Sequence, residues 1–333
     1  MPPLPHVIVL GGGPDAEHEV SVKSSTTIAS GLNASGRFTA SLHIIRTITA
    51  ADLAKLAGDV VFPYLHGPWG EGGPLQDILE DPASAPGGAE GTDASGRPFV
   101  GSNARASRAA MDKIATKAVA LELGIPTPPV WVLNTKDPVC PTRLPVIVKP
   151  VHEGSTIGLH VCDTRAAFAA AVEAVRAEHA GAVKSGGPVR TYMIEPKVPG
   201  RELTVGIIDG VALPVIEILP KDGLYDFEAK YTRDDTEYLF ETLPDAVAKK
   251  VSKQTVKLFK ALGLRHLARA DFMLDADGTA WLLEINTTPG FTDHSLVPKA
   301  SRHAGVDVPT LCANLADMAL RDRPTWHPAA ART

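Results

Sequence analysis

The sequence predicts an α/β and α+β fold in which an N-terminal parallel α/β domain precedes two mixed regions. Two apolar strands, His6–Leu10 and Val60–Leu65, each lead through a glycine-containing loop into a helical pattern, which is typical of parallel α/β units. The middle of the chain mixes short strands with helices, and the last third is richer in strands. We therefore expect three domains, over residues 1–104, 105–194 and 195–333.

The elements of the first half follow in order. Gly11–Gly13 predicts a turn after the first strand, a helix begins near Glu19–Ser21, and another covers Leu75–Glu80. Residues 81–97 are rich in Pro, Gly, Ala and Ser and predict an exposed loop. One continuous helix is predicted over Ser107–Leu123, stopped by Gly124, and its apolar side comprises Met111, Ile114, Ala118 and Leu121.

The second half alternates strands and helices. Predicted strands are Leu144–Lys149, Leu159–Cys162, Tyr192–Glu195 and Leu203–Ile208. Helical spacing marks three helices, one through Phe168, Val172 and Val175, one through Val247–Leu262, and a last one through Leu311, Leu315 and Met318 with Pro309 in its first turn.

Composition excludes several classes of protein. The chain has 333 residues, 44% of them hydrophobic and 21% charged, which is typical of a globular protein with sizeable cores. A net charge of −5 without a basic block gives no sign of nucleic-acid binding. We expect no signal peptide, because the first residues have no cationic region before their short apolar run. The sequence has no run of 18 apolar residues, and its three cysteines have no metal-binding or redox spacing. We expect a cytoplasmic protein without membrane or nucleic-acid partners.

A predicted hairpin near residue 277 gathers polar groups within an otherwise apolar strand pair. Asp277-Gly278 is a strong two-residue turn signal, and a turn centred there pairs Glu284 with Asp271 and Asn286 with Arg269. Oxygen ligands of this kind suit Mg²⁺, which takes few protein oxygens and completes its shell with phosphates. The alternative is a structural Arg–carboxylate network on a solvated face, because a one-residue register error separates these groups.

Other segments could bind anions. Lys149 ends an apolar strand and leads into Glu153–Gly158, a loop whose glycines would let backbone N–H groups approach phosphate. Taken alone, this segment is better explained by a plain surface hairpin. Lys113 on the predicted helix could also bind an anion. The alternative is that Asp112 and Lys113 lie on a solvated helix face. Glu195 and Glu202 bracket a connection that could hold a base and ribose, and 224–232 could form a lid or an ordinary loop. No Walker P-loop or GxGxxG pattern occurs, which argues against a dinucleotide fold.

Together these segments resemble the D-alanine–D-alanine ligases of the ATP-grasp superfamily, over residues 7–300. The resemblance implies a three-domain ATP-grasp fold. The motifs occur in family order: Glu17–Ser21, His66–Gly67, Gly70–Glu71, Val100–Ser102, Met111–Lys113, Gly124–Pro128, Val148–Pro150, Glu153–Ser155, Gly200–Glu202, Tyr225–Tyr231, Arg269–Asp271, Glu284–Asn286, Pro289–Thr292 and His294–Leu296.

The resemblance implies a role for each matching residue. Asp271, Glu284 and Asn286 would bind two Mg²⁺ ions, for which Mn²⁺ could substitute. ATP would be held by Lys113 and Lys149 at its phosphates and by Glu195, Val198 and Glu202 at adenine and ribose. Amino-acid substrates and reacting groups would be contacted by Glu17, His66, Ser155, Lys230, Tyr231, Arg269, Gly290, Ser295 and Leu296. The implied reaction joins two D-alanines through an acyl phosphate for peptidoglycan precursors, and the implied assembly is a homodimer.

Some positions depart from the family pattern. An extra residue at Pro14–Ala16 lengthens the first glycine turn, where the family's usual Ser is missing. Lys197 takes a hinge position that is usually aromatic, and His266 replaces a typical Gly. D-Lactate and D-serine are alternative second substrates, but Tyr231 in the lid sequence favours D-alanine. A non-catalytic nucleotide-binding module is a further alternative, distinguished by ATP binding without turnover.

Overall fold

The computed structural model describes residues 3–86, 96–154, 156–221, 236–292 and 294–322. Three predicted functional residues, Ser155, Lys230 and Tyr231, lie outside these ranges, as does the predicted lid 224–232. Within them, no helix is both long enough and apolar enough to cross a membrane.

The N-terminal part is a parallel sheet, as predicted. Strands β1 (His6–Gly12), β2 (Thr39–Ile45) and β3 (Val60–Pro63) lie in the order β2-β1-β3. Helix α1 (His18–Ala34) begins near its predicted start, but Gly11 and Gly12 continue β1 instead of forming a turn. A Cβ on Gly11 would lie 2.0 Å from Ser25 Oγ, so glycine is what allows α1 to pack against this strand.

Short helices follow the second and third strands of this sheet. They are α2 (Ala50–Ala54), α3 (Gly67–Glu71) and α4 (Pro74–Glu80). The prediction of α4 is confirmed, whereas α3 lies in a segment taken for a loop. The predicted exposure of 81–97 is confirmed at Asp81 and Pro86 but was wrong at Arg97, which is buried and donates to the carbonyl groups of Leu53, Leu56 and Gly58.

The single helix predicted over Ser107–Leu123 is two helices, α5 (Ala104–Met111) and α6 (Lys113–Glu122). Asp112 has an extended backbone between them, and its Oδ1 accepts hydrogen bonds from the N–H groups of Ile114 and Ala115. An Asp is favoured at such an N-cap because it satisfies donors of the first helical turn. The interruption places Lys113 at the start of α6. The predicted apolar side was wrong in this helix, because Ala118 and Leu121 are exposed, whereas its buried residues are Lys113, Thr116, Lys117 and Ala120.

The central part is an antiparallel sheet covered by one long helix. Strands β4 (Trp131–Val132), β5 (Val146–Pro150), β6 (His160–Cys162) and β7 (Tyr192–Pro196) lie in the order β4-β7-β5-β6. Helix α7 (Arg165–Ser185) buries Phe168, Val172 and Val175 against it, as the helical spacing predicted.

The C-terminal sheet is also antiparallel. Strands β8 (Arg201–Ile208), β10 (Ile216–Leu219), β11 (Glu237–Phe240), β12 (Leu267–Leu274) and β13 (Ala280–Asn286) lie in the order β11-β10-β8-β12-β13, and β9 (Val211–Ala212) pairs with β8. Helix α8 (Asp245–Ala261) packs on one face through Val251 and Leu258. The other face of β12 and β13 carries the polar residues considered below.

The β12–β13 hairpin has the predicted residue pairs, although its turn differs from the prediction. Asp271 pairs with Glu284 and Arg269 with Asn286, as expected. The turn prediction was wrong, because Asp275 N–H bonds to Thr279 O across a three-residue loop, which shifts the register by one. A bulge between the Glu284 and Leu282 pairings shifts it back.

The chain's last helices are α9 (Leu296–His303) and α10 (Val308–Asp322), the latter beginning at its predicted Pro309 turn. Helix α10 packs against α1, and its Leu311 and Leu315 share an apolar core with Ile28 and Leu32 of that helix. The end of the chain thus stabilises the N-terminal sheet.

His266 also connects the C-terminal part of the molecule to the N-terminal part. Its backbone is left-handed, with a φ of 59°, and its ring is buried. Nδ1 accepts a hydrogen bond from Gly101 N–H at 2.8 Å, and Nε2 donates to Asp322 at 2.9 Å. Burial lowers the pKa of His266, Arg265 opposes a positive charge on it, and Asp322 and Asp209 favour one. Only the neutral ring can make both bonds.

Candidate active site

The acidic hairpin forms the floor of the site. Arg269 donates to Asp271 through two nitrogens, with Nε–Oδ1 at 2.9 Å and the second N–O distance at 2.8 Å. Thr204 Oγ1, on the neighbouring strand β8, donates to the same Oδ1 at 2.6 Å. Glu284 and Asn286 lie on either side of the buried Ile285 and are both partly exposed, so they share the open face of the strand. The predicted polar patch is therefore assembled.

The donor atoms of this patch fit a hard divalent ion. Asp271, Glu284 and Asn286 offer only oxygen atoms as ligands, and two carboxylates face each other across the ladder. Among the described residues, no three His, Cys, Asp or Glu side chains cluster so as to hold a metal by themselves. The patch thus suits an ion that takes its remaining ligands from phosphate oxygens.

Lys113 extends from the start of α6 to this patch. Its Nζ lies 3.2 Å from Glu284 Oε2 and donates a short hydrogen bond to the carbonyl of Glu153. The lysine is 6% exposed and is therefore held between the hairpin and the loop after β5. The break between α5 and α6, which the sequence did not predict, is what gives Lys113 this position.

Lys149 belongs to a buried ion-pair triad that was not predicted. Its Nζ lies 2.5 Å from Glu195 Oε1, and Lys117 Nζ lies 2.8 Å from the other oxygen, Oε2. Burial alone would lower the pKa of Lys149, but Glu195 and Glu284 raise it. Burial disfavours the charge of Glu195, yet its two lysines lower the pKa of that carboxyl. Burial lowers the pKa of Lys117, and the Glu195 carboxylate opposes this fall. The triad thus pairs three ionisable groups away from water.

The glycine loop after β5 is fixed from two sides. Glu153 pairs with Arg190 at 2.8 Å, and burial raises the pKa of Glu153 while Arg190 opposes the rise. A Cβ on Gly154 would lie 3.1 Å from Glu17 Oε2, so the loop backbone touches that carboxylate. Glu17 is 4% exposed. The loop therefore joins the central part to the N-terminal part beside the acidic hairpin.

Two buried residues of the segment after β3, His66 and Glu71 at the two ends of α3, face the same region. Burial lowers the pKa of His66, and no hydrogen-bond partner for its Nε2 lies within the described ranges. Glu71 accepts from Gly67 N–H at 3.0 Å and from Thr288 N–H at 3.2 Å. Burial and the nearby charge of Glu17 raise the pKa of Glu71 to about 8. Glu71 thus connects α3 to the segment that follows β13.

The lengthened glycine turn has a structural function. Asp15, within the extra residues, accepts a hydrogen bond from Trp69 N–H at 2.9 Å. Burial raises the pKa of Asp15, and its bond to Trp69 lowers it. Asp15 is therefore a short polar residue in the turn from which the expected Ser is missing, and its bond to Trp69 fixes the segment that carries His66.

The segment after β13 is fixed at several points. Asn286 Oδ1 accepts from Thr288 N–H at 2.7 Å, and Tyr64 donates a short hydrogen bond to the carbonyl of Pro289, next to Gly290. Ser295 accepts from Thr292 N–H at 2.9 Å. The Leu296 side chain is buried with Ile216 and Ile218, so its backbone is what it can offer to a ligand.

A cleft of about 740 Å³ lies along the connection between β7 and β8. Its lining includes Val198, Lys197, Pro128 and Trp281. Lys197 Nζ lies 3.6 Å from Asp163 in an exposed pair. Val198 is therefore on a cleft surface, while the Glu195 carboxylate is turned inward to its lysines.

Sequence reasoning missed several residues that fix the site, namely Asp15, Lys117, Arg190 and Thr204. A signal existed for Lys117, since it lies four residues after Lys113 on a helix and hence on the same face. Thr204 lies directly opposite Asp271 in the β8–β12 ladder, but that pairing joins strands more than 60 residues apart and leaves no local pattern.

Comparison with known proteins identifies the family. The family model described as D-ala D-ala ligase C-terminus matches residues 124–317, more than half of the chain. A D-alanine–D-alanine ligase of Bordetella petrii is 40% identical over 323 residues, covering 94% of this chain and 91% of the relative. The chain belongs to the D-alanine–D-alanine ligase family.

Further ligases agree over nearly the full length. That of Hydrogenovibrio crunogenus is 35% identical, covering 95% of each chain. The crystal structure of a Bacillus anthracis D-alanine–D-alanine ligase complexed with ATP matches with a TM-score of 0.77 at 27% identity, covering 97% of this chain and 99% of that chain. A Coxiella burnetii ligase structure gives the same TM-score at 25% identity, covering 97% and 95%. The ATP-grasp fold implied by the sequence is confirmed, and this ligase-family chain is an enzyme.

Proposed function

We propose that this enzyme uses ATP to join two molecules of D-alanine, forming D-alanyl-D-alanine for peptidoglycan precursors. The observation that carries the proposal is its identity of 35–40% to D-alanine–D-alanine ligases over nearly the whole chain. The assembled acidic hairpin and the two site lysines supply the groups that such a reaction requires.

We assign Asp271, Glu284 and Asn286 to two Mg²⁺ ions, with Mn²⁺ as a substitute. Their all-oxygen donor set supports the assignment. Bound there, the metal would neutralise phosphate charge and polarise a phosphoryl oxygen. Lys113 and Lys149 would bind the phosphates, and Val198 and Glu202 would contact adenine and ribose together with the backbone of Glu195.

The chemistry divides into two steps. A carboxylate oxygen of the first D-alanine forms a bond to the γ-phosphorus of ATP, and the bond from that phosphorus to the bridging oxygen breaks, releasing ADP. The amine of the second D-alanine then attacks the acyl carbon and loses a proton, and phosphate leaves with the electron pair of the broken C–O bond. Glu17 would hold the first ammonium group, with His66 beside it.

Charge that develops on oxygen would be stabilised by groups at the end of β13. Arg269 and the Gly290 N–H are assigned to the tetrahedral oxyanion, where fixed donors contribute most. Ser295 and the Leu296 backbone would hold the carboxylate of the second D-alanine.

Water must be excluded because it would hydrolyse the acyl phosphate. We assign this function to the lid 224–232, in which Lys230 would reach the transferred phosphate. Tyr231 would join Ser155 and Glu17 in a hydrogen-bonded trio. These assignments rest on the family resemblance.

The test is a coupled assay with purified protein, ATP, Mg²⁺ and D-alanine. We expect one phosphate released per dipeptide formed, and loss of both with excess chelator. Parallel reactions would contain D-alanine with D-lactate or with D-serine, and mass spectrometry would identify the product. Phosphate release only with D-lactate or D-serine would overturn the substrate choice, and ATP binding without turnover would indicate a non-catalytic module.

The proposal extends to a homodimer located in the cytoplasm, as the resemblance implies. Sedimentation analysis of the purified chain tests the first part, and a monomer at micromolar concentration would contradict it. Fractionation of cells that express the chain tests the second.

A further inference from the structure

Lys117 is a buried cation that the proposed chemistry does not use. It lies on α6 four residues after Lys113 and is 1% exposed. A lysine is seldom fully buried unless its ammonium group is paired. Lys117 is therefore not an ordinary solvated residue of the helix.

The ammonium group of Lys117 contacts three elements at once. Its Nζ lies 2.8 Å from Glu195 Oε2 on β7, and it donates to Thr127 Oγ1 at 2.8 Å and to the Pro128 carbonyl at 3.1 Å. Thr127 Oγ1 in turn donates to the carbonyl of Leu282 on β13, at 2.8 Å. Two hydrogen bonds and one close ion-pair contact therefore fix the position of the ammonium group.

Glu195 is shared between two lysines through different oxygens. Because Oε2 is bound by Lys117, Oε1 faces Lys149 at 2.5 Å. The triad of two lysines and one carboxylate has a net charge of +1. Without Lys117, both oxygens of Glu195 could turn to Lys149, and the remaining pair would be neutral. A neutral pair would offer less attraction to a polyphosphate.

We infer that Lys117 is a positioning residue for nucleotide binding, acting through Glu195 to orient Lys149 and to leave the buried triad with one unneutralised positive charge. The inference rests on the proposed function in that Lys149 is taken to contact the ATP phosphates. Lys117 itself need not touch the nucleotide.

The first experiment measures ATP affinity by calorimetry in Lys117→Met, which fills a similar volume without the charge. We expect the dissociation constant for ATP, and the KM for ATP, to rise about tenfold or more, the loss of one well-placed charged contact. KM for D-alanine should stay within twofold. If this variant does not fold, Lys117→Gln, which keeps a donor for Glu195, replaces it with the same expectation.

Two controls separate positioning from general stability. Arg97→Met removes another buried cation, one that binds only backbone carbonyls far from the triad, and should lower the melting temperature without changing ATP affinity. Lys253→Met removes an exposed lysine of α8 and should change neither.

A double substitution provides the sharpest test. Glu195→Gln alone leaves Lys117 and Lys149 as two buried cations beside one neutral amide and removes the carboxylate through which Lys117 is inferred to act. Adding Lys117→Met should therefore cost less ATP affinity in the Glu195→Gln background than Lys117→Met costs in the wild-type background.

Either of two results would overturn the inference. One is a lowered melting temperature in Lys117→Met with ATP affinity within twofold of the wild type. The other is a loss of ATP affinity on Lys117→Met that is as large in the Glu195→Gln background as in the wild-type background. Because these are binding measurements, they remain decisive even if the wild type forms no dipeptide, which would refute the proposed function alone.

Discussion

Replacing Glu284 by Gln tests the assignment of the acidic hairpin most directly. The substitution keeps the size of the side chain and one of its oxygens but removes its negative charge. Glu284 faces Asp271 across the ladder, and its Oε2 lies 3.2 Å from Lys113 Nζ. The charge is therefore opposed by one neighbour and attracted by the other.

These opposing neighbours predict a small effect on stability. Removing the pair with Lys113 costs something, but the Glu284 side chain is 25% exposed, and partly solvated pairs contribute about 1 kcal/mol or less. Relief of the repulsion from Asp271 offsets part of this loss. We expect a change in melting temperature of about 2 °C or less.

The effect on turnover should be far larger. A neutral amide is a poor ligand for Mg²⁺, and loss of one charge-stabilising contact in an active site typically costs a factor of about 100–1000 in kcat. Each factor of ten corresponds to about 1.4 kcal/mol of activation free energy, so the expected loss is about 3–4 kcal/mol. The fold and the activity should thus separate.

The assay is phosphate release at saturating D-alanine and ATP over a range of Mg²⁺ concentrations. Glu122→Gln is the matched control, because it makes the same change at an exposed carboxylate at the end of α6 and should leave turnover unchanged. A kcat of Glu284→Gln within fivefold of the wild type at high Mg²⁺ would refute the assignment. So would an equal loss of activity in the control.

Three further predictions concern residues that fix the site. His266→Asn keeps a residue that tolerates a left-handed backbone. The folded pKa of His266 lies below its unfolded value of about 6.5, so the wild type should lose stability relative to this variant as pH falls through 6.5. Urea unfolding at pH 7.5 and 5.5 measures this loss. Glu71→Gln removes a carboxyl group whose folded pKa of about 8 lies above its unfolded value of about 4.3. The wild type should therefore lose stability relative to this variant as pH rises from 5 to 8, and an equal change of the urea midpoint in both proteins would contradict this. Arg190→Met removes the pairing of Glu153 and should raise KM for ATP about three- to tenfold, with a melting temperature near that of the wild type; unchanged steady-state kinetics would show that the loop does not depend on it.

The hairpin shows how a correct prediction can rest on an incorrect step. Asp277-Gly278 indicated a two-residue turn, but the loop has three residues, with Gly278 in the left-handed conformation at its end. The one-residue shift is cancelled by the bulge before Glu284. Only local turn signals are visible in the sequence, whereas the bulge depends on packing across the sheet.

The helix break at Asp112 was missed for a different reason. The periodic apolar pattern runs through Met111 and Ile114 without interruption, and such a pattern predicts a continuous helix. An Asp within it is also a good N-cap, and here its bonds to the N–H groups of Ile114 and Ala115 begin a new helix whose first residue, Lys113, reaches Glu284. The residues of the site could be predicted from motifs, but the contacts that orient them join segments far apart in sequence.

The contacts of the site also constrain how its ligands can enter. Lys113, Lys149 and Arg269 each already have a carboxylate partner, respectively Glu284, Glu195 and Asp271. Two of these carboxylates are the proposed metal ligands, whereas Glu195 is not. If Glu284 and Asp271 turned to a cation, Lys113 and Arg269 would lose part of their neutralisation and become available to phosphate and to the reacting carboxyl group. Lys149 would keep its direct partner Glu195 and would lose only the more distant attraction of Glu284. Further positive charge at that lysine would have to come from within the protein, and Lys117 is a buried cation placed to provide it.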